Sequence, residues 1–213
     1  MISPVVKQLI LIRHARTDYD RSRVPPENPP LDIKADHDYA AMGAHLPDHY
    51  RWIISPLIRC QQTAQQLVYH GATYSSRHND DRLREQSYGR WHGQNVETLW
   101  LEELSQGEKH NWHFIHPDRI PPDGESFSQV MTKLQPVLPE YATENTILVT
   151  HGMVIRALVG LAMGISPDQA LALDIAPLSM TGLTYMKEGA SNHAGRGDKW
   201  GGQWQLNYLN RAY

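Results

Sequence analysis

The chain alternates short, uninterrupted apolar runs with longer stretches of helical periodicity. Leu9-Ile10-Leu11-Ile12 has no polar interruption and leads straight into Arg13-His14. A short continuous apolar run reads as a strand covered on both faces, here from Val5 to Ile12. The pattern returns twice. Trp52-Ile53-Ile54 runs into Ser55-Pro56, with Arg59 just beyond, and Ile147-Leu148-Val149 runs into Thr150-His151-Gly152. Taken singly, each is a core strand followed by an ordinary polar residue. Together, three strand ends deliver Arg13, His14, Arg59 and His151. In open α/β sheets ligands bind beyond the carboxyl ends of the strands, so neighbouring parallel strands would gather these four side chains in one crevice.

The segments between the runs supply the helices. Residues 18–34 read as loop, because Pro25, Pro26, Pro29 and Pro30 exclude helix and central strand. A helix is expected from about Ala35 to Leu46. Ser55 and Pro56 look like the cap and first position of the next helix, which would bury Cys60, Ala64, Leu67 and Val68 and end near Gly71. Thr73 to Ser75 is a plausible edge strand, and Asp81 to Gly93 is irregular. Asn95 could cap a helix with Val96, Leu99, Trp100 and Leu104 on one face. Gly107 to Asp123 reads as a long loop, of the kind that often forms a lid or binding segment. Gly124-Glu125-Ser126 opens a helix with Phe127, Val130, Met131 and Leu134 on one side, ended or kinked by Pro136. Met153 to Met163 is a strongly apolar helix, and Ser166-Pro167 starts a short one. Ser179 to Met186 and Trp204 to Asn210 read as strands joined by a glycine-rich loop over 189–202.

This order of elements predicts an α/β fold, a three-layer α/β/α sandwich on a mostly parallel central sheet. The length of 213 residues suits one domain, taken as 1–213 because no linker separates the strands that must share a sheet. Composition narrows the function classes. A formal net charge of −3 offers no global basic surface for nucleic acid. The single cysteine, Cys60, excludes an intrachain disulfide and any Cys-based zinc site, and reads as a small core residue rather than a reactive thiol. Met1-Ile2-Ser3-Pro4 lacks the pattern of a signal peptide, and no apolar stretch reaches membrane-span length. A cytoplasmic protein with no membrane partner is expected; oligomeric state is not legible. The 12 histidines raise the question of metal. His110, His113 and His116 have helix-like spacing, but no His-Glu-x-x-His motif accompanies them, so surface histidines are the better reading.

Two guanidiniums and two imidazoles in one crevice would repel one another unless an anion sat among them. Phosphate fits, because planar arginine forks match its oxygens. The motifs around these residues resemble one family. Arg13-His14-Ala15-Arg16-Thr17 resembles the Arg-His-Gly-x-Thr/Ser signature of the histidine phosphatase superfamily, in its phosphoglycerate mutase-like branch. Ser55-Pro56-Leu57-Ile58-Arg59-Cys60-Gln61-Gln62-Thr63-Ala64 resembles its Ser-Pro-x-x-Arg-x-x-Gln-Thr-Ala segment. Leu83-Arg84-Glu85-Gln86-Ser87-Tyr88-Gly89-Arg90-Trp91-His92-Gly93 resembles its Leu-x-Glu-x-x-x-Gly-x-Trp-x-Gly segment. Gly124-Glu125-Ser126 and Thr150-His151-Gly152 complete the set, in the family's order, across nearly the whole chain.

The resemblance implies His14 as a nucleophile that forms a phosphohistidine. It also implies Glu85 as general acid and base, and Arg13, Arg59 and His151 as phosphate ligands. The structural alternative for Glu85 is a solvated loop acid paired with Arg82 or Arg84. Thr17 could hydrogen-bond phosphate, or simply serve the turn after the strand. Arg16 reads as solvated, and Ser126 as a helix cap as readily as a substrate contact. No metal and no cofactor is required, since the arginines and His151 would carry the charge stabilisation. The expected partner is a small-molecule phosphomonoester, hydrolysed without metal.

Two positions depart from the family pattern. Ala15 replaces the usual glycine, and Asp20 stands where many members have an asparagine that touches phosphate. An acid at position 20 would repel phosphate unless it were paired or turned away. Two alternatives follow. One is phosphoglycerate mutase-type phosphoryl transfer on the same core. Against it, Gly89-Arg90-Trp91-His92-Gly93 looks like the phosphatase version, and the His110 to Pro122 stretch has Arg119 as its only arginine. The other is a catalytically silent phosphate-binding or interaction domain.

Overall fold

In the computed structural model, residues 5–105, 116–187 and 204–213 are described. Six strands form one sheet in the order β3-β2-β4-β1-β5-β6. These are β1 (Val5–Arg13), β2 (Arg51–Ile54), β3 (Ser76–Asn79), β4 (Thr146–Thr150), β5 (Met180–Lys187) and β6 (Trp204–Arg211). The pairings β2·β3, β2·β4 and β1·β4 are parallel, while β5 runs antiparallel to both β1 and β6.

The continuous apolar runs are explained by a sheet buried on both faces. Successive strand residues point to opposite sides. On one side Leu9, Leu11, Ile53 and Leu148 pack under helices α4 (Phe127–Leu134), α5 (Leu138–Tyr141), α6 (Gly152–Met163) and α7 (Pro167–Leu171). On the other, Ile10, Ile12, Trp52, Ile54, Ile147 and Val149 pack under α1 (Tyr39–His45) and α2 (Ile58–Tyr69). The result is the three-layer sandwich. The remaining helix, α3 (Val96–Ser105), buries Leu99 but leaves Val96 exposed. Among the described residues no helix is long and apolar enough to cross a membrane.

Several boundaries differ from the sequence expectation, each for a tertiary reason. Helix α1 starts at Tyr39 rather than Ala35, because Asp38 caps it by accepting from Ala41 N at 2.7 Å. Residues 32–35 form a turn instead, and His37 Nε2 accepts the N–H of Arg16 at 2.9 Å. Helix α2 starts at Ile58, not Pro56, and Ser55 is not its cap. The free N–H of Ile58 is taken by Asn28 Oδ1 at 2.8 Å, from the proline-rich loop. Cys60, Ala64 and Leu67 are buried in α2 as expected, while Val68 is only half-buried. The edge strand lies at Ser76–Asn79 rather than Thr73–Ser75; its polar, largely exposed residues carry no apolar signal. The expected caps at Ser126 and Ser166 are both present as full capping boxes. The expected loop over 189–202, His110 and His113 lie outside the described residues.

Candidate active site

Strand register brings the predicted residues together. Ile12 and Ile54 both pair with Val149, and Arg13 pairs with Thr150. The next residue of each strand, respectively His14, Ser55 and His151, therefore emerges at the same end of the sheet. Backbone bonds continue past the strands: His14 N donates to Thr150 O at 2.9 Å and Ser55 N to Val149 O at 3.0 Å. Arg59 arrives from the first turn of α2. All four predicted cationic or imidazole side chains converge, with His14 and His151 ring centroids 5.2 Å apart.

The hydrogen bonds assign the proton on each ring. His14 Nδ1 lies 2.7 Å from Ala15 O, a carbonyl that only accepts, so Nδ1 carries the proton. Its Nε2 is thereby left with a lone pair, which accepts from Arg59 Nε at 3.2 Å. The same Arg59 Nε–H is shared with His151 Nδ1, also at 3.2 Å. His151 Nε2 meets Ser55 Oγ at 2.7 Å. Arg59 is further anchored by Nη1 donating to Glu27 O at 3.1 Å. Arg13 donates from Nη1 to Ile175 O, while its buried Nε has no partner. A buried guanidinium N–H with no partner is expensive.

Arg13, His14 and Arg59 line a cavity of about 270 Å³, together with Glu85, Tyr19, Tyr88 and Arg21, while His151 is fully buried against His14 and Arg59. Glu85 is not paired with either neighbouring arginine. Arg82 binds Asp80 and Glu140, and Arg84 binds Glu27 and Asp81. Glu85 Oε1 instead accepts from Met153 N at 3.2 Å, at the amino end of α6, and from Gln86 N at 3.3 Å. The segment carrying it is tied down by three bonds, to Thr150 and Glu125. Thr150 Oγ1 donates to Leu83 O, Gln86 Nε2 to Glu125 O, and Ser87 N to Glu125 Oε1. Gly89 closes this segment at φ +51°, where an added Cβ would lie 2.1 Å from Pro122 O, so any side chain there would push the loop off its seat.

Electrostatics separate the roles. Burial, then Arg59, holds both His14 and His151 well below the ordinary imidazole value. Burial pushes the Glu85 carboxyl up, against the opposing pull of Arg59 and Arg13. Burial also lowers the two guanidiniums from their ordinary value. Two neutral imidazoles beside a carboxyl with a raised pKa form a set of titratable groups shifted by burial and neighbouring charge, which is a mark of functional sites.

Of the remaining sequence expectations, Thr17 is buried and lines the cavity. Arg16 lines it too and is exposed. Asp20 is turned to Ser22 and Arg23. The Ala15 methyl packs into the core and its N–H donates to Thr63 Oγ1 at 3.0 Å. Cys60 is a core residue, but it also touches the His151 ring at 3.5 Å, and burial raises its thiol despite Arg59. The cavity-lining residues that sequence reasoning missed include Tyr19, Arg21 and Tyr88. Tyr88 lies inside a quoted motif and was within reach, whereas Tyr19 and Arg21 had no signal beyond proximity to His14. It also missed the bond between Ser55 and His151, since Ser-Pro reads locally as a helix start.

The histidine protonation has a consequence for stability. An unfolded chain would protonate both rings near pH 6.5, whereas the folded chain resists. Below that pH the unfolded state binds more protons, so stability is full above about pH 6.5 and is lost as pH falls towards the depressed folded values. Each histidine contributes a slope of about 1.4 kcal/mol per pH unit in that window. Thermal melts from about pH 7.5 to 5 should show Tm falling, and falling less in a His14→Asn/His151→Asn double variant. Equal slopes in the two proteins would contradict the burial of neutral rings.

Comparison with known proteins identifies the family. Residues 9–194 match the family described as the histidine phosphatase superfamily (branch 1). A 2,3-bisphosphoglycerate-dependent phosphoglycerate mutase of Rhizobium meliloti (strain 1021) is 30% identical over 185 residues, 79% of this chain and 85% of that protein. A probable phosphoglycerate mutase of Yersinia enterocolitica is 27% identical, over 84% of this chain and 86% of the other. Among solved structures, a mycobacterial glucosyl-3-phosphoglycerate phosphatase superposes with a TM-score of 0.70 at 21% identity, over 98% of this chain and 100% of that one. A putative alpha-ribazole-5'-P phosphatase from Escherichia coli K-12 superposes with a TM-score of 0.72 at 19% identity, over 97% and 98%. At that identity the superpositions speak for the fold alone. The family match spans most of the chain, and Arg13, His14, Thr17, Arg59, Glu85 and His151 all fall within it: the chain belongs to the histidine phosphatase superfamily, branch 1.

Proposed function

We propose that the protein hydrolyses a small phosphomonoester without metal, through a phosphohistidine on His14. The observation that carries this reading is the state of the His14 ring. Its Nδ1–H is fixed on Ala15 O, and the lone pair on Nε2 points into the cavity beside Arg59. Burial and two guanidiniums keep it neutral and hence nucleophilic.

A phosphate dianion repels nucleophiles, so the cations act first. Arg13 and Arg59 neutralise the non-bridging oxygens and hold phosphorus in line with Nε2. His14 attacks, the N–P bond forms, and the bond from phosphorus to the ester oxygen breaks. In its protonated form, which burial favours, Glu85 gives its proton to the departing oxygen. The resulting carboxylate then takes a proton from water, which attacks phosphorus and releases phosphate. His14 returns to its neutral form and Glu85 to its acid, so the cycle balances.

A second reading is favoured by the relatives of this chain that are described as phosphoglycerate mutases. In that case the phosphohistidine is intercepted by a second hydroxyl rather than water. One experiment separates the two. A panel of phosphorylated metabolites is incubated with the protein in excess EDTA, and both free phosphate and isomerised ester are measured. Phosphate release that survives chelation is the expected result. Isomerised ester without phosphate would favour the mutase, and activity restored only by added zinc or magnesium would remove the metal-free mechanism.

A further inference from the structure

His151 is fully buried, and both of its ring nitrogens are committed. Nδ1 lies 3.2 Å from Arg59 Nε and Nε2 lies 2.7 Å from Ser55 Oγ. A guanidinium nitrogen can only donate. The neutral ring therefore accepts at Nδ1 and carries its proton on Nε2, which donates to Ser55 Oγ. Leu57 N also donates to that oxygen, at 3.4 Å, so two donors converge on the serine. This explains why Ser55 is absent from the cap of α2 and why Asn28 supplies that cap instead.

The consequence concerns Nδ1, which shares the Arg59 Nε–H with the attacking nitrogen of His14. In this tautomer it has a lone pair, and a lone pair cannot donate to a phosphoryl oxygen. A dianionic ester would meet it with repulsion, while a monoanionic ester presents an O–H. We propose that Ser55 is a positioning residue that keeps the proton of His151 on Nε2, so that Nδ1 takes the acidic proton of a monoanionic phosphomonoester as it binds. The proposal rests on the hydrolase reading of the same site. In the transfer one O–H bond of the ester breaks and one N–H bond forms, with no change of oxidation state. The products are a phosphoryl dianion between Arg13 and Arg59 and an imidazolium. That imidazolium donates from Nδ1 to a phosphoryl oxygen and from Nε2 to Ser55.

The surroundings of the ring favour this order of events. The groups that face it are Arg13 and His14 from β1 and its end, Arg59 and Cys60 from α2, and Arg84 from the segment before Glu85. The charged ones are all cations. The ring therefore stays neutral until a phosphoryl group brings negative charge, and then takes up a proton from the ester itself.

The test uses the full chain labelled with ¹⁵N in histidine. Without ligand, His151 should show a protonated Nε2 and an unprotonated Nδ1, and with vanadate bound both nitrogens should be protonated. In kinetics, kcat/KM should follow the ester monoanion, whose second pKa is about 6, and fall about tenfold per pH unit above it. Measured in Glu85→Gln, where no Glu85 limb is expected, that limb should still move with the ester's own second pKa when an alkyl phosphate replaces a nitrophenyl phosphate. Ser55→Ala should lower kcat/KM roughly 10- to 100-fold, the size of one hydrogen bond to an ion. It should also release the proton to Nδ1 and flatten the ester-dependent limb, while Ser55→Thr should restore both. A wild-type His151 protonated at Nδ1, or a limb indifferent to the ester, would overturn the proposal even if Ser55→Ala did not fold. If no ester is turned over, the hydrolase reading fails, and the vanadate spectra still decide the role of Ser55.

Discussion

His14→Ala is expected to lower phosphomonoester turnover by roughly 10⁴-fold or more, the scale on which loss of a nucleophile acts. The variant removes the lone pair that is positioned by a backbone carbonyl and accepts from the Arg59 N–H. The two guanidiniums remain, so phosphate should still bind, while no acid-labile phosphoryl group should be recoverable after rapid quenching. Each substrate should be affected alike, because the phosphohistidine is common to all of them. His14 is nearly buried and its loss leaves a cavity, so a melting curve of the variant should accompany the kinetics. Recovery of an acid-labile phosphoenzyme from His14→Ala would move the nucleophile elsewhere, with His151 the first candidate.

Glu85→Gln should show a loss that depends on the leaving group. An alkyl phosphate expels an alkoxide of very high basicity, which needs a proton in the transition state. A nitrophenyl phosphate expels a phenolate that leaves without help. The variant keeps the size of the side chain at the amino end of α6 and removes the transferable proton. Phosphorylation of His14 by an alkyl ester should slow on the order of 100-fold or more, and phosphorylation by a nitrophenyl ester much less. Single-turnover kinetics are required, because Glu85 also serves the water step, which both esters share. Equal losses with the two esters would leave Glu85 as a positioning residue. Its raised pKa, caused by burial against the pull of Arg59 and Arg13, gives the acid role its pH window. Activity with alkyl esters should fall as pH rises through that pKa, while the Gln variant should lack this limb.

What the sequence determined by itself was the frame. Continuous apolar runs at Leu9–Ile12, Trp52–Ile54 and Ile147–Val149 can be buried only in a sheet covered on both faces. Their shared register then places Arg13, His14, Arg59 and His151 at one end. Local signals that need no partner were also legible: the capping boxes at Ser126 and Ser166, and the apolar α6. Tertiary structure decided the competitions, where one group has several possible partners and only distance in space chooses. Ser55 could cap its own helix or bind His151, and the register that sets it beside Thr150 chose the histidine, leaving the cap to Asn28. Glu85 could pair with Arg82 or Arg84, but those arginines found Asp80, Glu140, Glu27 and Asp81 first. Asp20 could face phosphate, yet Ser22 and Arg23 turn it away. Edge strand β3 is held by backbone bonds to β2 and carries no apolar pattern, so its position was invisible until the sheet existed. Periodicity reports which residues must leave water. It carries no information on which of two nearby polar partners lies closer once they have done so.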